Sequence, residues 1–259
     1  MSERFPLPIP NGWFQIAYAD ELASRSVLPL RYFGKSLRLR RSGDGDIELV
    51  DDDGRAWESV ERNRIIWAWH HAGNESPTWH IPVVEEVTSK DWTPLERHRW
   101  TVRTHNQEIG ENAVDRAHFR YVHGTASVPE SELRLDGHIR RAVQHVRMNT
   151  PRGEVNGQIC VEAHGMGCTI TRFTGICETV LLLSHTPIDS ETVDSRFSFT
   201  QRQGEAGSSV AAAVIREVVR QMNQDIPIWE HKKYLERPML CDGDGPIPEY
   251  RTWARQFYG

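Results

Sequence analysis

Along the first seventy residues, apolar and polar positions alternate in short bursts. "GWFQIAY" (12–18), "LPLRYFGKSLRLRR" (28–41), "DIELVD" (46–51) and "RIIWAWH" (64–70) are rich in β-branched and aromatic residues, and turn clusters such as "SGDGD" and "DDDGR" separate them. That pattern predicts short strands. The loop "AGNESPTWHIP" (72–82) is punctuated by Gly and Pro, and a domain boundary is expected shortly after it, dividing the chain into 1–90 and 91–259. A helix is expected over about 106–122, followed by strand-rich sequence from 137 to 203. Within that stretch "ETVLLLSHTPIDSETVDSRFSFTQR" reads as two strands around a Pro/Asp/Ser turn.

The clearest helix is "SSVAAAVIREVVRQMNQD", residues 208–225. Ser208 or Ser209 can cap its start, and its alanines favour helix. Val210, Val214, Val218 and Met222 recur every four residues and mark one apolar stripe. Asp225 continues on that face. A carboxylate aimed at a core is costly unless it is paired or ligates a metal.

Of the 259 residues, 38% are hydrophobic and 26% charged, and the net charge is −5. These values fit a globular protein and leave no basic excess to neutralise phosphates, which excludes nucleic acid as the expected partner. The opening "MSERFPLPIP" has no apolar core, and no apolar run approaches membrane-spanning length, so the expectation is a soluble cytoplasmic protein with no membrane span. The four cysteines, at 160, 168, 177 and 241, lack C-x-x-C or C-x-H spacing, and the first three are expected as buried reduced thiols. Nine tryptophans are spread along the chain, as core or interface packing requires. "EHKKYLER" (230–237) reads as a solvated helix face, His70–His71 and His80 as surface histidines, and Trp253 with Phe257 as the anchor of a C-terminal helix.

Candidate chemistry concentrates in "ENAVDRAHFRYVHG", residues 111–124. Asp115 and His118 share a helix face, whereas His123 falls well around an ideal helix from His118. The two rings meet only if the helix ends or bulges between them, and Gly124 is the type of residue that ends one. Asp115 would then accept a hydrogen bond from a ligand imidazole. With Asp225, the two histidines make a two-His, one-carboxylate set with open positions, the donor set of non-haem Fe(II) oxygen chemistry. Twelve histidines make such spacings frequent by chance, and a solvated or core-satisfied pair is the competing reading.

The segment "ENAVDRAHFRYVHG" resembles the iron-binding segment of Rieske-type non-haem iron oxygenases. Residues 223–258, "NQDIPIWEHKKYLERPMLCDGDGPIPEYRTWARQFY", resemble the C-terminus of the subgroup containing ketosteroid 9α-hydroxylase oxygenase components and cholesterol 7-desaturases. "PNGWFQIAYADEL", "LPLRYFGKSLRLRR" and "ERNRIIWAWHHAG" resemble flanks of that family's N-terminal Rieske domain. The resemblance implies that His118, His123 and Asp225 bind one Fe(II), and that Asp115 links this site to a neighbouring subunit's cluster. Asn112 is a candidate for the lining of the iron pocket. The implied fold is α+β: a helix-grip (START-like) catalytic domain, its curved antiparallel sheet wrapped around a long helix, preceded by a truncated Rieske-type β domain.

The departure from the family is plain. That family holds a [2Fe–2S] cluster with cysteine and histidine pairs in the N-terminal domain, and here no cysteine precedes Cys160. The expectation is therefore a terminal oxygenase, a hydroxylase or desaturase, with mononuclear Fe(II) and no [2Fe–2S] of its own. It would take O2 and a small hydrophobic substrate such as a steroid. Electrons would come in trans from a ferredoxin, a reductase or a Rieske-bearing subunit, within a trimer or hetero-oligomer. The alternatives are a non-redox metalloenzyme (isomerase, lyase or hydrolase) using the same pocket, or a cluster-less ligand-binding or regulatory subunit of an oxygenase ring.

Overall fold

A computed structural model describes residues 4–23, 27–125, 128, 131–150, 153–175, 177–241 and 243–259. The N-terminal region is built of short strands: β1 (Gly12–Tyr18), the single-turn helix α1 (Ala19–Ala23), β2 (Val27–Tyr32), β3 (Lys35–Arg41), β4 (Ile47–Asp51), β5 (Ala56–Trp57), β6 (Ser59–Arg62) and β7 (Ile65–His70). They form two antiparallel sheets, ordered β1-β7-β6 and β2-β3-β4-β5. The alternating apolar positions explain their union: Phe14, Ile16, Leu37, Leu39, Leu49 and Ile66 meet in one buried cluster between the sheets.

The short helix α2 (Glu85–Thr88) leads to β8 (Glu96–Val102), α3 (Asn106–Asn112) and α4 (Ala117–Tyr121). Six longer strands follow: β9 (Ser131–Asp136), β10 (Ile139–Thr150), β11 (Gly153–His164), β12 (Cys168–Thr174), β13 (Thr179–Pro187) and β14 (Val193–Gln201). With β8 they make a seven-stranded antiparallel sheet ordered β8-β14-β13-β12-β11-β10-β9. The chain closes with α5 (Ser209–His231) and α6 (Ile247–Ala254). None of the described helices is long and apolar enough to cross a membrane.

Strand alternation gives this sheet two different faces. Cys168, Ile170, Val180 and Leu182 pack outward against Trp13, Trp67 and Trp69 of the N-terminal strands. Their neighbours Thr169, Thr171, Leu181 and Leu183 point the other way, into a cavity beneath α5. Ile215, Met222 and Trp229 of that helix pack with Leu181, Phe197 and Phe199 of the sheet.

Four expectations are corrected. The helix expected over 106–122 is two helices, separated at residues 113–116. The buried face of α5 is Ala211, Ile215, Met222, Asp225 and Trp229, while Val210 is exposed. A constant step of four overruns the 3.6-residue turn by about 40° each time, so Val210 has drifted off the face that Met222 occupies. The segment read as a solvated helix face leaves the helix at His231, and Lys232 pairs with the buried Glu108 at 2.7 Å. Of the three histidines read as surface groups, His80 is exposed, but His70 stacks on Phe33 with ring centroids 5.0 Å apart and hydrogen-bonds the Pro10 carbonyl.

A buried polar network joins the two regions. Asp194 on β14 accepts a two-pronged pair of bonds from Arg99 at 2.7 and 3.0 Å, one from Arg196 Nε at 2.9 Å, and one from the Tyr32 hydroxyl of β2. Arg196 reaches on to Glu21 of α1 at 3.2 Å. The arginines hold the Asp194 carboxyl below its ordinary pKa against the burial that would raise it.

Candidate metal centre

The segment 106–125 is shaped to bring two histidines together. His105 caps α3, its Nδ1 accepting from the Gln107 N–H at 3.1 Å. The helix lies close against α6: a Cβ on Gly110 would fall 1.7 Å from the Tyr250 hydroxyl, so no larger residue fits without moving α6. Asp115 then starts α4, its carboxylate accepting from the N–H groups of Ala117 at 3.0 Å and His118 at 3.3 Å.

The end of α4 widens. The His118 carbonyl accepts from Val122 N–H at 2.7 Å and His123 N–H at 3.3 Å, and the Phe119 carbonyl accepts from Thr125 N–H at 3.0 Å. Gly124 closes the turn at φ +76°, a conformation that favours glycine. This five-residue bond is the bulge that the spacing required, and it swings His123 toward His118. The rings lie 4.9 Å apart, steeply inclined at 79°.

Each imidazole is held through Nδ1. His118 Nδ1–H donates to the main-chain carbonyl of Asp115, and His123 Nδ1–H donates to Gln224 Oε1 at 3.0 Å. Both tautomers therefore present a lone pair at Nε2. The carboxylate of Asp115 was expected to hold a ligand imidazole; its backbone oxygen does so instead, because the side chain is engaged as the cap of α4. Burial raises the Asp115 pKa, opposed by the two N–H groups it accepts from.

Asp225 arrives from α5, one residue after Gln224. One donor atom from each of His118, His123 and Asp225 lies within 4.8 Å of the others, and all three residues are buried. Asp225 Oδ1 stands 3.4 Å from His123 Nε2 and, among the described residues, has no hydrogen-bond donor. The Asn112 amide bridges the remaining atoms, 3.1 Å from Asp225 Oδ2 and 3.3 Å from His118 Nε2. Burial is the main cause that lifts the Asp225 pKa to about 6, and burial likewise pulls His118 down to about 4. Gln224 was not singled out in the sequence; its adjacency to Asp225 was the available signal.

These residues fit a divalent ion. Two imidazole lone pairs and a buried carboxylate with an unmatched oxygen face one another, and a cation satisfies all of them where a proton satisfies one. The donor set is oxygen and nitrogen only. The cysteines are elsewhere: Cys168 and Cys177 are buried, Cys160 partly so, and Cys241 exposed.

The trio opens on a cavity of about 250 Å³ between the sheet and α5. Its walls are largely apolar, including Ile109, Phe119, Val161, Phe173, Leu183 and Met222. His185 also faces it, fixed through Nδ1 to Ser195 Oγ at 2.9 Å and pulled by burial to a pKa of about 4.

Comparison with known proteins agrees with this architecture. The sequence profile of the 3-ketosteroid 9α-hydroxylase C-terminal domain matches residues 68–258. A cholesterol 7-desaturase of Caenorhabditis elegans is 25% identical over 98% of this chain and 78% of its own length. That alignment runs over 335 positions, more than the 259 residues of the present chain, so the relative carries segments with no counterpart here. A 3-ketosteroid-9-alpha-monooxygenase oxygenase component of Rhodococcus rhodochrous is 30% identical over 79% of this chain and 59% of its own length. Among solved structures, dicamba monooxygenase bound to 3,6-dichlorosalicylic acid superposes with a TM-score of 0.76 over 97% of this chain and 98% of that one, at 14% identity. A Pseudomonas putida NdmA mutant with theobromine gives 0.73 over 94% and 89%, also at 14% identity. At that identity the likeness is one of fold.

Proposed function

We infer that this chain, which belongs to the family of the 3-ketosteroid 9α-hydroxylase C-terminal domain, is the catalytic part of a mononuclear non-haem iron oxygenase acting on a steroid or similar polycyclic lipid. The observation that carries this reading is the convergence of His118, His123 and Asp225 at the wall of an apolar chamber, with one carboxylate oxygen left unmatched. Bound Fe(II) supplies the redox centre for O2 activation.

The chain's own residues prepare that chemistry. Asp115 and Gln224 fix the imidazole tautomers, and Asp225 supplies the negative charge. Asn112 steadies the carboxylate through its amide. The apolar walls would exclude water and hold a hydrophobic substrate beside His118, His123 and Asp225. Hydroxylation of a C–H bond consumes O2, two electrons and two protons, and releases one water. A desaturation draws on the same supply.

The electrons come from outside this chain. No cysteine precedes Cys160, and the strands of residues 12–70 run through short turns. We read residues 1–90 as a Rieske-type β domain without its cluster loops, and 91–259 as the catalytic domain. The donor is a ferredoxin, a reductase or a Rieske-bearing subunit, met in a trimer or hetero-oligomer in the cytoplasm, with Asp115 on the route.

The test is metal analysis joined to turnover. The purified chain should hold about one iron per polypeptide, and His118→Ala should lose it. Turnover should require an added iron–sulfur donor. A His118→Ala protein with full iron and activity would sink the reading.

A further inference from the structure

Among the described residues, one cation in the chamber has no counter-ion. Arg140 lies on β10, 5% exposed, and its side chain lines the cavity. Register across the sheet places it in a row with Ala163, Thr169, Leu183 and Phe197, all on the cavity face. Among the described residues, its guanidinium makes no ion pair and no hydrogen bond. The other deeply buried arginine, Arg196, has Asp194 and Glu21. Tyr250 is the one group whose charge favours the cationic form of Arg140, and burial opposes it. An arginine nonetheless stays protonated at neutral pH.

A buried charge without a partner is strongly unfavourable, and a sheet position facing an apolar cavity is satisfied by a leucine. An arginine there makes physical sense when the partner arrives with the ligand. Its planar fork matches two oxygens of one oxyanion, with the apolar walls taking the remainder of the molecule.

We propose that Arg140 is the recognition group for an oxyanion on the substrate, so that the chamber takes an apolar polycycle carrying a single carboxylate or sulfate. This rests on the chamber being the oxygenase substrate site, and it adds the substrate class. The iron trio then sets where the molecule reacts, and Arg140 sets how it is oriented in the chamber.

The experiment is equilibrium calorimetry on the full chain, purified after incubation with Fe(II), with 5β-cholan-24-oic acid, its uncharged methyl ester and a 3-sulfated steroid. The wild type should bind the acid or the sulfate roughly 10- to 100-fold more tightly than the ester, the range of a charge-assisted hydrogen bond. Preference for acid over sulfate, or the reverse, identifies the oxyanion. Arg140→Met should abolish the preference for the oxyanion over the ester, and Arg140→Lys should keep part of it. Equal wild-type affinity for all three probes overturns the proposal, and this comparison needs no variant to fold. An unchanged preference in Arg140→Met overturns it as well. Iron analysis of the same samples separates the two readings: iron without an oxyanion preference defeats only this proposal, and a preference without iron defeats only the oxygenase assignment.

Discussion

His123 Nε2 faces Asp225 Oδ1 at 3.4 Å, and among the described residues no hydrogen-bond donor reaches that oxygen. With Nδ1–H of His123 committed to Gln224, the two atoms are a lone pair opposite an anionic oxygen, an arrangement that a cation resolves. The metal-free protein therefore carries a cost at this site that metal binding removes.

Replacing Asp225 by Asn should separate stability from binding. Burial holds the folded-state pKa of Asp225 at about 6, above the ordinary carboxyl value of 3.8. The folded state therefore holds the proton more tightly, and its stability falls as pH rises from about 4 to about 6, staying lowered above that. At pH 7.5, metal-free Asp225→Asn should exceed the metal-free wild type by about 1–3 kcal/mol, and the two should converge near pH 4. The same variant should fail to hold iron. Denaturant melts at the two pH values, with metal analysis, decide it.

Gln224 touches the centre only through His123 Nδ1. Gln224→Ala should weaken iron by about 10- to 100-fold, the usual loss when an imidazole loses its orienting partner. Gln224→Glu should restore most of it. Competition against a chelator of known affinity gives the ratio.

Asp115 combines a helix cap with a proposed electron route. Asp115→Ala should cost about 1 kcal/mol of stability, while Asp115→Asn should keep the cap and the iron. If the carboxylate carries electrons from a partner, Asp115→Asn should still lose turnover coupled to the donor. Full coupled turnover in Asp115→Asn would confine Asp115 to capping α4.

Asp194→Ala should destabilise the chain by about 3 kcal/mol, because buried Arg196 loses its buried partner and keeps only the more exposed Glu21. The fall should appear as one transition, since the network joins β2 and α1 to β8 and β14. Two separated transitions would contradict that coupling.

Acid should unfold the metal-free protein through its buried histidines. Burial lowers His70, His105, His118 and His185 to about 4 each. Between about 6.5 and 4 the unfolded chain binds more protons than the folded one, so stability falls as pH drops through that window. His185→Gln should flatten the slope without touching the iron trio. Equilibrium melts from pH 7 to pH 4.5 measure it.

Strand and helix periods are local, and they alone located the N-terminal strands, the β13–β14 hairpin and α5. The types and spacing of Asp115, His118, His123 and Asp225 likewise marked a metal-like donor set, because a carboxylate on an apolar helix face is costly wherever it occurs. Packing decided the remainder. The break at 113–116 and the widened end of α4 depend on capping bonds and on α6 lying against Gly110, none of which a helical period records. Which oxygen of Asp115 meets His118, that Gln224 holds His123, and that Arg140 stands without a counter-ion are relations between segments far apart in the chain. A sequence specifies which groups must find partners, and only the folded chain determines which partner each one meets.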